Sequence, residues 1–169
     1  QQAEIEILIC CSYFLPGPLL RQKLAQALKR NVRVRVILTG ISDVPFAKSA
    51  ERYLYRWMLN RGIEIYEYQS NVLHAKVSTI DDRWTTIGSY NLNEVSALAS
   101  LEANLDVRDR DFAISTRLLL DQIIQKDCRS IKLEEIKHRY GLFSRLGQRL
   151  SYYLIHAILW LFTFYFRQE

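Results

Sequence analysis

The sequence predicts an α/β sandwich around a mixed β-sheet flanked by helices. Three observations carry that expectation. Strand-like runs alternate with helix-like stripes as far as residue 68. Between residues 72 and 107 the strand-like runs cluster, with turn residues separating them. The chain has 169 residues, 49% apolar and 24% charged, with few Gly and Pro, which suits one domain with a sizeable core. No low-complexity segment or internal repeat interrupts it.

Taken in order, residues 4–14, EIEILICCSYF, read as a strand that is buried toward its end. PGPLLRQKLAQALKRN follows as a helix, with Pro18 in its first turn and Leu20, Leu24 and Leu28 on one stripe. VRVRVILTG reads as a strand with Val32, Val34 and Val36 facing one way and Arg33 and Arg35 the other. SDVPFAKSAERYLYRWMLNRG reads as a helix capped by Ser42 or Asp43 before Pro45 and stopped by Gly62. IEIYEY is a third strand. LHAKVSTIDDRWTTIGSYN reads as two strands around a DDR turn, followed by a short turn-rich segment and the strand LEANLDV. DFAISTRLLLDQIIQKD closes the series as a helix with Ile114, Leu118 and Ile124 among its apolar positions.

The last segment has a different character. Residues 129–149 carry Arg129, Lys132, Lys137, Arg139, Arg145 and Arg149 against Glu134 and Glu135 only, within a chain of net charge +5. Such a balance points to an anionic partner. An apolar run from Leu150 to Phe166 follows, at the short limit for a membrane-spanning helix. Trp160, Tyr152, Tyr153 and Tyr165 suit an interface. The expectation is a division at residue 128: an α/β unit over 1–128, and a basic, then apolar, membrane-associating helical tail over 129–169. That tail is expected to be interfacial or partly inserted.

Cys10 and Cys11 are adjacent and point to opposite faces of a strand, and Cys128 is a lone third; all three read as thiols in a reducing compartment. No metal-ligand spacing is present, and no cofactor or metal is expected. The opening QQAEIEILICC has no Met and falls at once into a strand pattern, as a piece of a longer protein would.

The chemistry concentrates in residues 73–91. With residues 72–80 as a strand, His74, Lys76 and Ser78 share one face, and Leu73, Ala75, Val77 and Thr79 the other. Imidazole and ammonium then project side by side. Asp81 and Asp82 make the turn. Gly88 lets the chain approach a ligand closely. Ser89 and Asn91 lie beyond it, and Glu102, Asn104 and Asp106 share a polar face further on. A Lys, an amide and a hydroxyl around a His form a cradle for a phosphoryl group, with neutral imidazole a competent nucleophile. Tyr13, at the end of the first strand, suits either core packing or a pocket wall.

HAKVSTID followed by DRWTTIGSYN fits H-x-K-x-x-x-x-D-x-x-x-x-x-x-G-S-x-N, and so resembles the HKD signature of the phospholipase D superfamily. Residues 4–128, including SYFLPGPLLRQKLAQALKRNVRVRVIL and LEANLDVRDRDF, are similar to the C-terminal half of bacterial cardiolipin synthases, those of the B type above all. The resemblance implies a phospholipase D-like half-domain. It implies His74 as nucleophile or acid/base imidazole and Lys76 and Asn91 as phosphate ligands. Asp81 would support the site, Ser89 would line the pocket, and Glu102 would orient His74. It implies a two-step displacement through a phosphohistidine, without metal, at the cytoplasmic side of the bacterial inner membrane.

The resemblance also implies a second HKD motif, and this chain has one. His138 and His156 have no Lys two residues later. The partner motif comes either from a missing N-terminal half, which the absent Met favours, or from a second copy about a two-fold axis. Three functions follow. The first is a transphosphatidylase that moves a phosphatidyl group from one anionic phospholipid to the alcohol of another. The second is a phosphodiesterase or nuclease working as a homodimer. The third is a non-catalytic half that docks on membrane. The tail favours lipid over nucleic acid.

Overall fold

The computed structural model describes residues 2–98 and 100–166. Its elements are β1 (Glu6–Cys11), α1 (Pro18–Lys29), β2 (Arg33–Ile41), α2 (Pro45–Asn60), β3 (Glu64–Val72), β4 (Lys76–Ile80), β5 (Trp84–Gly88), α3 (Glu94–Leu98), β6 (Asn104–Val107), α4 (Arg110–Asp127), β7 (Cys128–Ile131), α5 (Leu133–Arg139) and α6 (Leu142–Phe166). The strands form one seven-stranded sheet in the order β6-β5-β4-β1-β2-β3-β7. β1, β2 and β3 are parallel, joined through α1 and α2, and the remaining pairs are antiparallel. The sheet is therefore mixed, as its sequence pattern predicts.

β1 is an unbroken apolar run because it is covered on both sides. Ile9 and Cys11 join Val34, Val36, Leu38 and Leu54 in a core under α1 and α2. Leu8 and Cys10 face the other way, toward Leu120 of α4. In β2, Val34 and Val36 lie in the core and Arg33 is exposed, but Arg35 is buried. Its guanidinium survives burial by pairing with Glu6 and Asp121 on either side.

Several local expectations need correction. Pro45 is the first helical residue of α2, so the cap position falls on Val44, which has no side-chain acceptor. Ser42 and Asp43 come too early; Ser42 Oγ accepts from Val44 N at 3.1 Å and tightens the preceding turn instead. Gly62 does stop the helix, in the left-handed region with φ 87°. In α4 the inward stripe is Ala113, Leu120 and Ile124. Leu118 is exposed because Arg117 shares the inward line and is held by Asp82 and Asp121.

The sheet continues past residue 128. β7 runs antiparallel to β3, with Ile65 opposite Ile131, and Ile131 and Ile136 are buried in the core. The 25-residue α6 lies along α2. Gln148 and Ser151 are buried there, Ser151 Oγ bonds Ser49 Oγ at 3.2 Å, and Tyr152 meets Tyr53 with ring centroids 4.8 Å apart. Leu142, Phe143, Leu146, Leu150 and Leu161 face outward. Among the described residues no helix is long and apolar enough to cross a membrane. The side chains of Trp160, Phe162, Phe164 and Tyr165 lie outside the described ones.

Candidate active site

β4 pairs with β1 so that Cys11 stands opposite Lys76 and Ile9 opposite Ser78. Directly opposed residues share a face, so Lys76 and Ser78 project to the side of α1 and α2. Leu73, Ala75 and Val77 pack in the opposite core. The alternation read from the sequence thus reaches His74, yet residues 72–80 are not one strand. β3 keeps Val72, and residues 73–75 run past the end of β1 with little left to pair with. Ser12 supplies what remains, its backbone N donating to Ala75 O at 3.0 Å and its hydroxyl at 3.2 Å. His74 is left exposed, with its Nε2 2.8 Å from Lys76 Nζ. Ammonium is a donor only, so this bond needs an unprotonated Nε2.

Asp81 does not join them. It lies at the far end of β4, five residues from Lys76 and so about 16 Å away at strand rise. Its carboxylate accepts three backbone N–H bonds, from Glu4 at 2.7 Å and from Ile5 and Glu6 at 2.8 Å. Partial burial alone would raise this carboxyl. The N–H donors of Glu6, Glu4 and Ile5 outweigh it and hold the group below its ordinary range. Asp81 and Asp82 are both left-handed, with φ 54° and 50°, as the tight turn into β5 requires.

The second arm of the site comes from β5 and β6. A Cβ on Gly88 would stand 2.2 Å from Asn104 Oδ1 and 2.3 Å from Ala103 O. The glycine is needed for the close approach of β6. Beyond it, Ser89 exchanges bonds with Ala103, its N donating to Ala103 O and its Oγ accepting from Ala103 N, both at 3.0 Å. Asn104 Oδ1 accepts from Tyr90 N at 3.2 Å. Asn91 is delivered to the same face as Lys76, with its Oδ1 3.9 Å from Cys11 Sγ. Glu102 sits beside this arm. Hydrogen bonds from the Ser89 and Ser96 hydroxyls, with the Lys76 charge nearby, hold its carboxyl below the ordinary range. Among the described residues no hydrogen bond joins Glu102 to His74.

A further carboxylate near His74 is Asp43, which the sequence pattern offers only as a helix cap. Tyr13 Oη donates to Asp43 Oδ1 at 2.6 Å. That bond holds Asp43 below its range, with a smaller contribution from His74. Burial and the same bond push Tyr13 up to about 12. The Tyr13 loop is fixed from beneath, where Glu51 accepts from Phe14 N at 3.2 Å within a buried cluster with Lys48, Tyr55 and Glu67. Tyr13 is a pocket wall. With Asn91, Glu102, Leu15 and Phe46, and with Ile155 of α6, it lines a cavity of about 460 Å³. Its lining is mainly apolar, with polar groups from Tyr13, Asn91 and Glu102 among others, and it includes neither His74 nor Lys76. The thiols take no part: burial pushes Cys10 up to about 12 and Cys11 up to about 11.

Residues 1–126 match the family described as cardiolipin synthase, PLD-like domain. Cardiolipin synthase B of Salmonella typhi is 40% identical over 130 residues, covering 77% of this chain and 32% of that protein. The minor cardiolipin synthase ClsB of Bacillus subtilis is 29% identical over 158 residues, covering 90% and 39%. The chain thus spans about a third of the length of these curated relatives. Two solved structures share the fold. The phospholipase D family member Nuc from Salmonella typhimurium gives a TM-score of 0.65 at 22% identity, covering 78% of this chain and 84% of that one. Phosphatidylserine synthase from Haemophilus influenzae gives 0.70 at 17%, covering 96% and 42%. By the match over residues 1–126, the chain belongs to the cardiolipin synthase, PLD-like domain family.

Proposed function

We propose that this chain supplies one half of a transphosphatidylase site, the other half bringing a second imidazole. One imidazole nitrogen attacks the phosphodiester phosphorus. A P–N bond forms, the P–O bond to the head group breaks, and the second imidazole gives the leaving oxygen its proton. The alcohol of a second lipid then attacks, losing its proton to that imidazole as the P–N bond breaks. His74 fills one of these two roles. Lys76 and Asn91 meet the non-bridging oxygens, and their charge and dipole favour the crowded trigonal-bipyramidal phosphorus over the ground state. Glu102 lines the pocket, and Ser89, bonded to Ala103 and Glu102, orders the second arm. The place of work is the bacterial cell membrane, with α6 lying on its surface.

The observation that carries this reading is the Lys76–His74 pair at 2.8 Å. Its setting adds to it, since the mainly apolar cavity at Asn91, with its few polar groups, suits an amphipathic substrate better than a uniformly polar one. A hydrolytic homodimer is the second reading, favoured by the 84% coverage of Nuc, a fold of this one unit.

Acyl-labelled phosphatidylglycerol given to the complete protein separates the two. The expected product is a diphosphatidyl lipid, formed at least about a hundredfold more slowly by His74→Ala. Phosphatidate as the sole product would establish water as the acceptor. Full turnover by His74→Ala would remove the residue from the chemistry.

A further inference from the structure

A second cleft, of about 500 Å³, lies between α2, α5 and α6. Arg52 and Arg56 of α2 and Arg145 and Arg149 of α6 line it, and among the described residues no carboxylate does. Four guanidinium groups gathered this way repel one another, and an anion relieves that repulsion. For Arg52, Arg56 and Arg149 the described residues do little of this. Arg52 reaches Glu67 at 3.6 Å, but its buried Nε has no hydrogen-bond partner. Arg149 lies over the Tyr153 ring, 5.7 Å from its centroid, which leaves its charge unneutralised. Arg56 is exposed. No acidic residue occurs anywhere from 142 to 166.

The same cleft has an apolar edge. Leu142 and Leu146 line it, yet they are 80% and 62% exposed, and Phe143 beside them is 89% exposed. A free anion or a nucleic-acid phosphate satisfies the guanidinium groups and leaves these side chains in water. A phospholipid satisfies both, the phosphate in the fork-shaped donors and the leucines in the acyl boundary. We infer that the Arg52–Arg56–Arg145–Arg149 cleft binds the phosphodiester of an anionic phospholipid at the membrane surface, as a site separate from the one at His74. It rests on the membrane placement of α6 and not on the His74 chemistry. α6 connects the two sites: its first half forms this cleft, while Ile155 and Ile158 wall the cavity at Asn91. A membrane held at the cleft lies alongside the helix that borders the substrate cavity.

The test is sedimentation of the whole chain with phosphatidylcholine vesicles, with and without phosphatidylglycerol. Arg56→Gln/Arg149→Gln removes two exposed charges from the cleft. Lys29→Gln/Lys126→Gln removes two exposed charges elsewhere. The cleft pair is expected to lower partitioning onto anionic vesicles about tenfold or more, and the control pair less than about threefold. Thermal unfolding checks that both variants are folded, and Arg56→Gln alone repeats the cleft test should the pair unfold. Equal losses in the two pairs would make the attraction diffuse and overturn the site. Equal wild-type binding to neutral and anionic vesicles would overturn it as well. A thymidine oligonucleotide that displaces the vesicles, and whose own binding the cleft pair removes, would assign the cleft to nucleic acid instead. Sedimentation reads binding and needs no turnover, so failure of the catalytic reading and failure of this one are read separately.

Discussion

The two ends of β4 carry residues of one motif and have opposite surroundings. At the start, His74 is exposed and Lys76 bonds the imidazole, its one hydrogen-bond partner among the described residues. At the other end, Asp81 spends its carboxylate on three backbone N–H groups that begin β1. One end keeps donors and lone pairs available for something absent from the chain; the other has used its acceptors on the fold. A single short strand thus connects an exposed pair to a clamp, and the clamp sets where β1, and with it Cys11 beneath Asn91, sits against Lys76.

The sharpest way to break that contrast is to remove one end at a time. Lys76→Ala is expected to cut turnover of the complete protein by about 10²–10³-fold, as for loss of one charge-stabilising donor. Asn91→Ala is expected to fall in the same range, and neither is expected to move the unfolding midpoint appreciably. Steady-state kinetics beside thermal denaturation checks both; a shifted midpoint with turnover per folded molecule intact would put Lys76 with the scaffold. Asp81→Ala should do the reverse. Losing a charged acceptor of three backbone donors, two of them solvent-facing, is expected to cost about 2–3 kcal/mol of stability. Turnover per folded molecule should change less than about threefold. Urea unfolding measures the first quantity.

Gly88→Ala tests the second arm. Its Cβ would collide with backbone of β6, so that strand must move, at a cost of about 1–3 kcal/mol. Ser89 and Asn91 would move with it. Stability and turnover are therefore expected to fall together in this variant alone. The smallest effect is one of pH. The Asp81 carboxyl is held below its ordinary value in the fold, so its contribution is complete above the unfolded value of about 3.9. It fades as pH falls through the folded value. Asp81→Asn should flatten that part of the acid-unfolding curve, and an unchanged curve would mean the clamp does not depend on charge.

Much of the site was legible because it rests on strand parity, which needs no tertiary information. His74, Lys76 and Ser78 fall on one face although residues 73–75 are not in a strand, since Ser12 continues the pairing past Cys11. What escaped depends on contacts between distant segments. Asp43 reads as a cap until Tyr13 comes to meet it. CRSI is too short and too polar to read as a strand, and becomes β7 only because β3 offers an edge. Residues 129–149 read as one basic tail by charge, while the fold takes Ile131 and Ile136 into its core. Leu118 reads as apolar stripe until Asp82 and Asp121 turn Arg117 inward.

The central claim is that the open end of β4 performs covalent phosphoryl chemistry at an imidazole. Rapid alkaline quenching of the complete protein with acyl-labelled phospholipid bearing an activated head group tests it most directly. The predicted result is protein-bound label that withstands alkali and is released by acid, as a phosphoramidate is. In His74→Ala, catalytic turnover of ordinary phospholipid should be lost. Label still formed from the activated substrate would assign His74 to proton transfer, and no label would make it the nucleophile. Undiminished turnover by His74→Ala, or wild-type turnover with no label at any time, would contradict the account.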